Sequence, residues 1–195
     1  MAYRYFIIDK PYGMLSQFTR EVPEHRTLAD LYEFPAGIYP VGRLDRDSEG
    51  LLILTDDGSL NQRLLRPSHG HRRVYWVQVE GEPGMAHLER LAAGPPIRIK
   101  GKTHQPRPLG VESLAPAVPP RDPPIRFRKN VPDSWLALTL TEGKNRQVRR
   151  MCAAVGFPVL RLIRHAIAGL TREHLEGQAV REVKRDWLLE RLELR

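Results

Sequence analysis

Cysteine is almost absent. The single thiol, Cys152, excludes an internal disulfide and a cysteine-rich zinc site. No apolar stretch approaches the ~20 residues needed to span a membrane. The opening MAYRYFIIDKP lacks the apolar run of a signal peptide. These absences predict a soluble, reducing, cytoplasmic setting. The chain has no GxGxxG, no Walker loop and no HExxH, so no nucleotide, metal or redox cofactor is expected. Acidic residues are also in short supply: 23 Asp and Glu face 31 Lys and Arg, a formal net charge of +8. Such an excess favours a polyanionic partner, because each neutralised phosphate releases counterions. Charge alone is a weak signal, since many basic proteins bind no nucleic acid.

What is present is enough for a core. About two-fifths of the 195 residues are apolar, which suits one domain over residues 1–195 built as two closely joined subdomains with a cleft between them. Residues 3–8 (YRYFII) read as a strand stopped by Pro11 and Gly13. Thr27 is placed to cap a short helix reaching Phe34, with Leu28 and Leu31 on one face. LLILT at 51–55 reads as a buried strand. Asp57-Gly58 marks a turn, and a helix around 59–66 closes at Pro67. VYWVQVE at 74–80 reads as a strand and MAHLERLAA at 85–93 as a helix. A proline-rich stretch with short strand-like pieces follows from 95 to 133, and Pro119, Pro120, Pro123 and Pro124 mark a surface loop. WLALTLT at 135–141 alternates, with Leu136, Leu138 and Leu140 on one face. Residues 145–155 carry Val148, Met151, Cys152 and Val155 as one helical stripe. A last helix is expected over 186–194. Strands and helices mix without βαβ order, which predicts an α+β fold with a central, largely antiparallel sheet flanked by helices.

Three places have the composition for chemistry. The first is GRLDRDSEGL, from Gly42 to Leu51, where two arginines, two aspartates and a glutamate precede a strand. A carboxylate between arginines keeps its charge at neutral pH, as a nucleophile or base requires. A salt-bridged surface turn has the same composition. The second is Tyr75, which alternation puts on the face opposite Val74 and Trp76. With one face in the core, the other can offer a ring to a base, a contact worth ~1–3 kcal/mol. Half-buried strand packing is the plainer explanation. The third is the run Lys144, Arg146, Arg149, Arg150, Arg161, Arg164 and Arg172, with no Asp or Glu from 144 to 172. Arg146 and Arg150 share a helix face, and a one-signed run on a helix and the loop after it suits phosphates. The alternative is a solvated basic face.

These motifs, taken in order, resemble a known family. DKPYG at 9–13, GRLDRDSEGLL at 42–52, Tyr75, and GKNRQVRRM at 143–151 are similar to the signature segments of the RsuA-type pseudouridine synthases. The resemblance runs from about residue 3 to residue 183, and FIIDKPYGMLSQF and NRQVRRMCAAVGFPVLRLIRHAI resemble members that act on 23S ribosomal RNA. Many of the family have a small S4 RNA-binding domain ahead of the catalytic domain. Here the catalytic pattern begins at residue 3, so RNA affinity is expected from the catalytic domain itself. Relatives often have a histidine before Gln147, and no role is assigned to Asn145.

The resemblance implies an enzyme that isomerises uridine to pseudouridine without cofactor, acting on flipped-out bases of ribosomal RNA, 23S RNA above all, as a monomer. It implies that Asp45 is the essential carboxylate. Attack at C1′, attack on the base and proton abstraction at the sugar stay open, and all three need an ionised, fixed carboxylate. It further implies that Arg149 pairs with Asp45, Tyr75 stacks on the uracil, Val148 walls it and Arg43 fills the gap in the RNA stack. Lys144, Arg146, Arg150, Arg161 and Arg164 are the candidates for the RNA backbone. A non-catalytic RNA-binding ribosome assembly factor would keep the basic run and could lose Asp45. A nuclease would gather Asp45, Asp47 and Glu49 around Mg²⁺, which Arg43 and Arg46 oppose.

Overall fold

The computed structural model describes residues 3–65, 70–107 and 110–194. In chain order the strands are β1 (Tyr5–Lys10), β2 (Tyr39–Pro40), β3 (Glu49–Thr55), β4 (Arg73–Glu80), β5 (Ile97–Ile99), β6 (Lys102–His104), β7 (Gly110–Leu114), β8 (Asp133–Leu140), β9 (Val159–Ile167), β10 (Leu170–Thr171) and β11 (Val180–Val183). The helices are α1 (Gly58–Leu65), α2 (Met85–Ala92), α3 (Gln147–Ala154) and α4 (Arg185–Arg191). The chain divides into two compact units, residues 1–71 with 164–195, and residues 72–163.

In the first unit the strand order is β11, β1, β3, then the C-terminal residues of β9, with β2 also on β3 and β10 on β9. β1 is antiparallel to both β11 and β3. Every residue of β3 is buried, and alternation sends its side chains to two clusters. Leu51 and Ile53 join Tyr5, Ile7, Leu60 and Leu64 of α1, and Leu188 and Leu189 of α4. Leu52 and Leu54 join Phe6, Ile8, Met14, Leu28, Ile38 and Leu44. Each fully buried leucine of this kind contributes about 1.5–3 kcal/mol. The segment between β1 and β3 therefore packs as core, although it holds little regular structure. Its helix is shorter than the sequence predicts. Thr27 and Asp30 form a capping box around one 3-10 turn, Leu28–Asp30. Beyond it, Tyr32 and Phe34 turn to pack edge-on with each other and against Phe6.

In the second unit β4, β8 and β7 form an antiparallel sheet. Leu136, Leu138 and Leu140 are buried as the alternation predicts, with Val77, Val79, Leu91 of α2, and Val148, Met151 and Cys152 of α3. The α+β class with a largely antiparallel sheet holds in both units. Two local readings are corrected. Asp57-Gly58 is not a free turn but the start of α1, where Asp57 accepts hydrogen bonds from the Ser59 amide and hydroxyl. The segment after α3, expected as a loop, contains the nine-residue strand β9. The helix stop expected at Pro67 lies outside the described residues.

Candidate active site

The loop bearing Asp45 runs from Val41 to Ser48, between β2 and β3 of the first unit. It has no regular structure of its own, yet it is fixed on both sides of Asp45. Before it, Leu44 is buried in the core cluster, and buried Ser16 brackets its peptide. The Ser16 hydroxyl donates to Leu44 O (2.9 Å), and Leu44 N–H donates to Ser16 Oγ (3.1 Å). After it, Gly13 N–H donates to Arg46 O (2.8 Å) and Arg46 Nε–H donates back to Gly13 O (3.3 Å). Ser48 N–H closes the turn onto Asp45 O at 3.0 Å. Asp45 is half-buried, while Arg43 and Arg46 are exposed.

The clamping segment, residues 13–16, is itself held by Lys10. Its ammonium donates to Pro11 O (2.9 Å) and Met14 O (2.7 Å), and the residue is fully buried. Burial lowers the Lys10 pKa to about 8. The charges of Glu49, Asp47 and Asp45 oppose that fall, and Arg164 adds to it. Lys10 and Ser16 are the positioning residues that sequence reasoning passed over. The signal was present, since DKPYGMLS places a lysine and a serine around a proline-glycine turn. A buried lysine bonded to two carbonyls is nonetheless not legible from residue type.

In the second unit Tyr75 lies opposite Leu138 in the sheet. It shares a face with Val77 and Val79 and packs, half-buried, on the cluster that contains Val148. The face that bears Tyr75 is thus the core-facing one, not the face left over from it. Tyr75 packs on the same apolar cluster that holds Val148, and Arg149, half-buried, follows Val148 on α3. The entry to α3 is fixed by buried Gln147, which donates to Glu142 Oε1 (2.7 Å) and accepts from Lys144 N–H (2.9 Å). Burial works against the Glu142 charge. Hydrogen bonds from His104, the Arg107 amide and Gln147 outweigh it and hold the carboxyl below its ordinary range. Cys152 is no nucleophile: burial pushes its thiol up to about 12, against a smaller opposing effect of Arg149.

The basic run divides. Lys144 and Arg146 are exposed, and Arg150 is half-buried, donating to Arg98 O (2.8 Å) and Asn145 O (3.2 Å). Arg161 and Arg164 are only 7% and 5% exposed. The sequence reading places them on a solvated loop, but they lie within β9. Arg161 donates to Pro119 O (2.7 Å) and Arg164 Nε donates to Leu51 O (2.8 Å). Arg172 is neutralised by Asp9 (2.5 Å). Among the described residues no group of three or more His, Cys, Asp or Glu side chains could hold a metal ion.

Comparison with known proteins gives this geometry its family. The profile for RNA pseudouridylate synthase matches residues 4–154. The chain belongs to the RNA pseudouridylate synthase family. It is 56% identical over 162 residues to ribosomal large subunit pseudouridine synthase E of Xanthomonas axonopodis pv. citri, covering 83% of this chain and 84% of that protein. It is 45% identical over 179 residues to the synthase E of Vibrio parahaemolyticus, covering 91% and 73% respectively. A solved pseudouridylate synthase shares 27% identity with a TM-score of 0.77, covering 98% of this chain and 74% of that one. This pseudouridine synthase is therefore an isomerase of the RsuA type, as the motifs imply. No helix among the described residues is long and apolar enough to cross a membrane.

Proposed function

We propose that this synthase converts a specific uridine of 23S ribosomal RNA to pseudouridine, with Asp45 as its catalytic carboxylate. The substrate class follows the names of its relatives, which are ribosomal large subunit pseudouridine synthases. The observation that carries the assignment of Asp45 is the two-sided clamp. Ser16 and Gly13 hold the peptides on either side of it, and Lys10 holds the clamp. A residue that must meet one atom of a substrate needs its backbone fixed, because small misplacements are costly in rate.

The reaction breaks N1–C1′, turns the uracil and forms C5–C1′. The C5 proton is lost and N1 regains one, so atoms balance with no further reactant. A uridine inside a helix must leave its stack to be reached. Tyr75 and Val148, which belong to one apolar cluster, supply an aromatic and an aliphatic contact for the extruded base. Arg149 supplies positive charge to the reaction, and Arg43 takes the space the base vacates. Lys144, Arg146 and Arg150 hold phosphates.

Tritium release from ribosomal RNA labelled at uracil C5 tests this. Asp45→Asn keeps shape and removes charge. It is expected to bind RNA within a few-fold of wild type and turn over at less than about one per cent of its rate. Faster turnover would remove Asp45 from the mechanism. Absence of any tritium release by the wild type on 23S RNA would remove the substrate.

A further inference from the structure

One surface feature is used by none of this chemistry. Phe127 is 84% exposed, the most exposed large apolar side chain among the described residues. It lies in the segment between β7 and β8, within RFRK at 126–129, and no acidic residue occurs from Pro123 to Pro132. A phenyl ring left in water is unfavourable and usually folds inward. Here the backbone around it is tied down. Buried Arg161 donates to Pro119 O (2.7 Å) at the start of the loop. Arg121 donates to Pro123 O (2.8 Å), Pro124 O (3.1 Å) and Leu160 O (3.4 Å) in its middle. On the far side of the ring, Arg128 pairs with Glu80 at the end of β4 (2.6 Å). Anchors on both sides leave Phe127 projecting between Arg126 and Lys129, which are both exposed.

We infer that Phe127 is a second RNA contact, a stacking platform for an unpaired nucleotide outside the modified one, with Arg126 and Lys129 on the adjoining phosphates. The inference rests on RNA being the substrate. Stacking needs an open π face flanked by cations, and every unpaired base offers the complementary face. A duplex hides its base faces, so the same loop meets a helix only through charge. A membrane or an apolar protein surface calls for a larger apolar patch than one ring.

The test is direct binding by the full-length protein to one RNA of about twenty nucleotides, single-stranded and then annealed to its complement. Phe127→Ala is expected to weaken single-strand binding by roughly ten-fold and leave the duplex nearly unchanged. Phe127→Tyr restores binding, because it restores the ring. Arg126→Ala with Lys129→Ala lowers the single-strand salt slope by about 1.4 for the two phosphates lost, at ~0.7 per phosphate. Unchanged single-strand affinity for Phe127→Ala overturns the platform, and is the outcome if the ring serves a protein partner. Equal weakening of single strand and duplex overturns it too, by showing that the loop acts through charge alone. If the wild type binds neither form, the RNA reading itself has failed. If it binds both and yet isomerises nothing, only the proposed function has.

Discussion

Gly50 tests the positioning of the Asp45 loop at its join with β3. It has φ +103°, a conformation that L side chains rarely adopt, and it faces the backbone of Arg164 in the same unit. A Cβ there would sit 2.7 Å from Arg164 N and closer still to its carbonyl oxygen. Neither obstacle is a side chain that can swing aside. Arg164 is itself held by its bond to Leu51 O, one residue along from Gly50. Gly50→Ala therefore meets two costs. The backbone conformation costs about 1–3 kcal/mol, and forcing two packed strands apart adds about 1–3 kcal/mol more. The total of roughly 2–6 kcal/mol is a large share of the ~5–15 kcal/mol that stabilises a typical domain.

Thermal unfolding reads this directly. For a chain of this length each kcal/mol moves the midpoint by about 2–4 °C, so Gly50→Ala should melt roughly 5–20 °C below wild type. Gly13→Ala is the control. Its φ is +78° but a Cβ there meets nothing within 4 Å, so only the conformational cost of about 1 kcal/mol remains. If Gly50→Ala melts within about 2 °C of wild type, the close approach of β3 and Arg164 is wrong. If Gly13→Ala is equally damaging, positive φ rather than contact explains both.

Much of this was legible in the sequence, for identifiable reasons. β8 and α3 have strong periodicity, and their burial follows it: Leu136, Leu138 and Leu140 inward, Val148, Met151 and Cys152 on one stripe. LLILT was legible as a continuous apolar run, and all of β3 is buried. GRLDRDSEGL stands out because five charged residues lie beside an apolar strand. β9 was illegible because Arg161 and Arg164 interrupt VLRLIRHAI, and charged residues read as solvent-facing. They are buried because backbone carbonyls of Pro119 and Leu51 accept from them, and those partners lie 42 and 113 residues away. The clamp from Ser16 to Leu44 spans 28 residues. Periodicity reports which face an element turns inward. It says nothing of a polar side chain satisfied by a distant peptide, and the positioning of Asp45 is made of such bonds.

Two further outcomes are expected. Asp57→Ala deprives buried Tyr5 of the acceptor for its hydroxyl (2.8 Å) and α1 of its bonds at Ser59. Calorimetry should show a loss of about 2–4 kcal/mol, whereas Asp56→Ala, which removes one exposed acceptor for Arg4 N–H, should cost under about 1 kcal/mol. Lys10 predicts a rise of stability with alkali. Its folded pKa of about 8 lies below the 10.5 of a free lysine, so between those values the unfolded chain binds more protons and folding gains with pH. The gap of about 2.5 pH units is worth about 3 kcal/mol, absent below pH 8 and complete above 10.5. Tyr5 and Cys152, pushed up to about 12 by burial, stay protonated in the fold and pull the other way, but they are common to wild type and Lys10→Met and cancel. Urea unfolding of both proteins at pH 8 and pH 10 should therefore show wild type gaining about 2 kcal/mol on the variant. Parallel curves would mean that the ammonium reaches water, and that the turn holding the Asp45 clamp is not the dry, charged peg seen here.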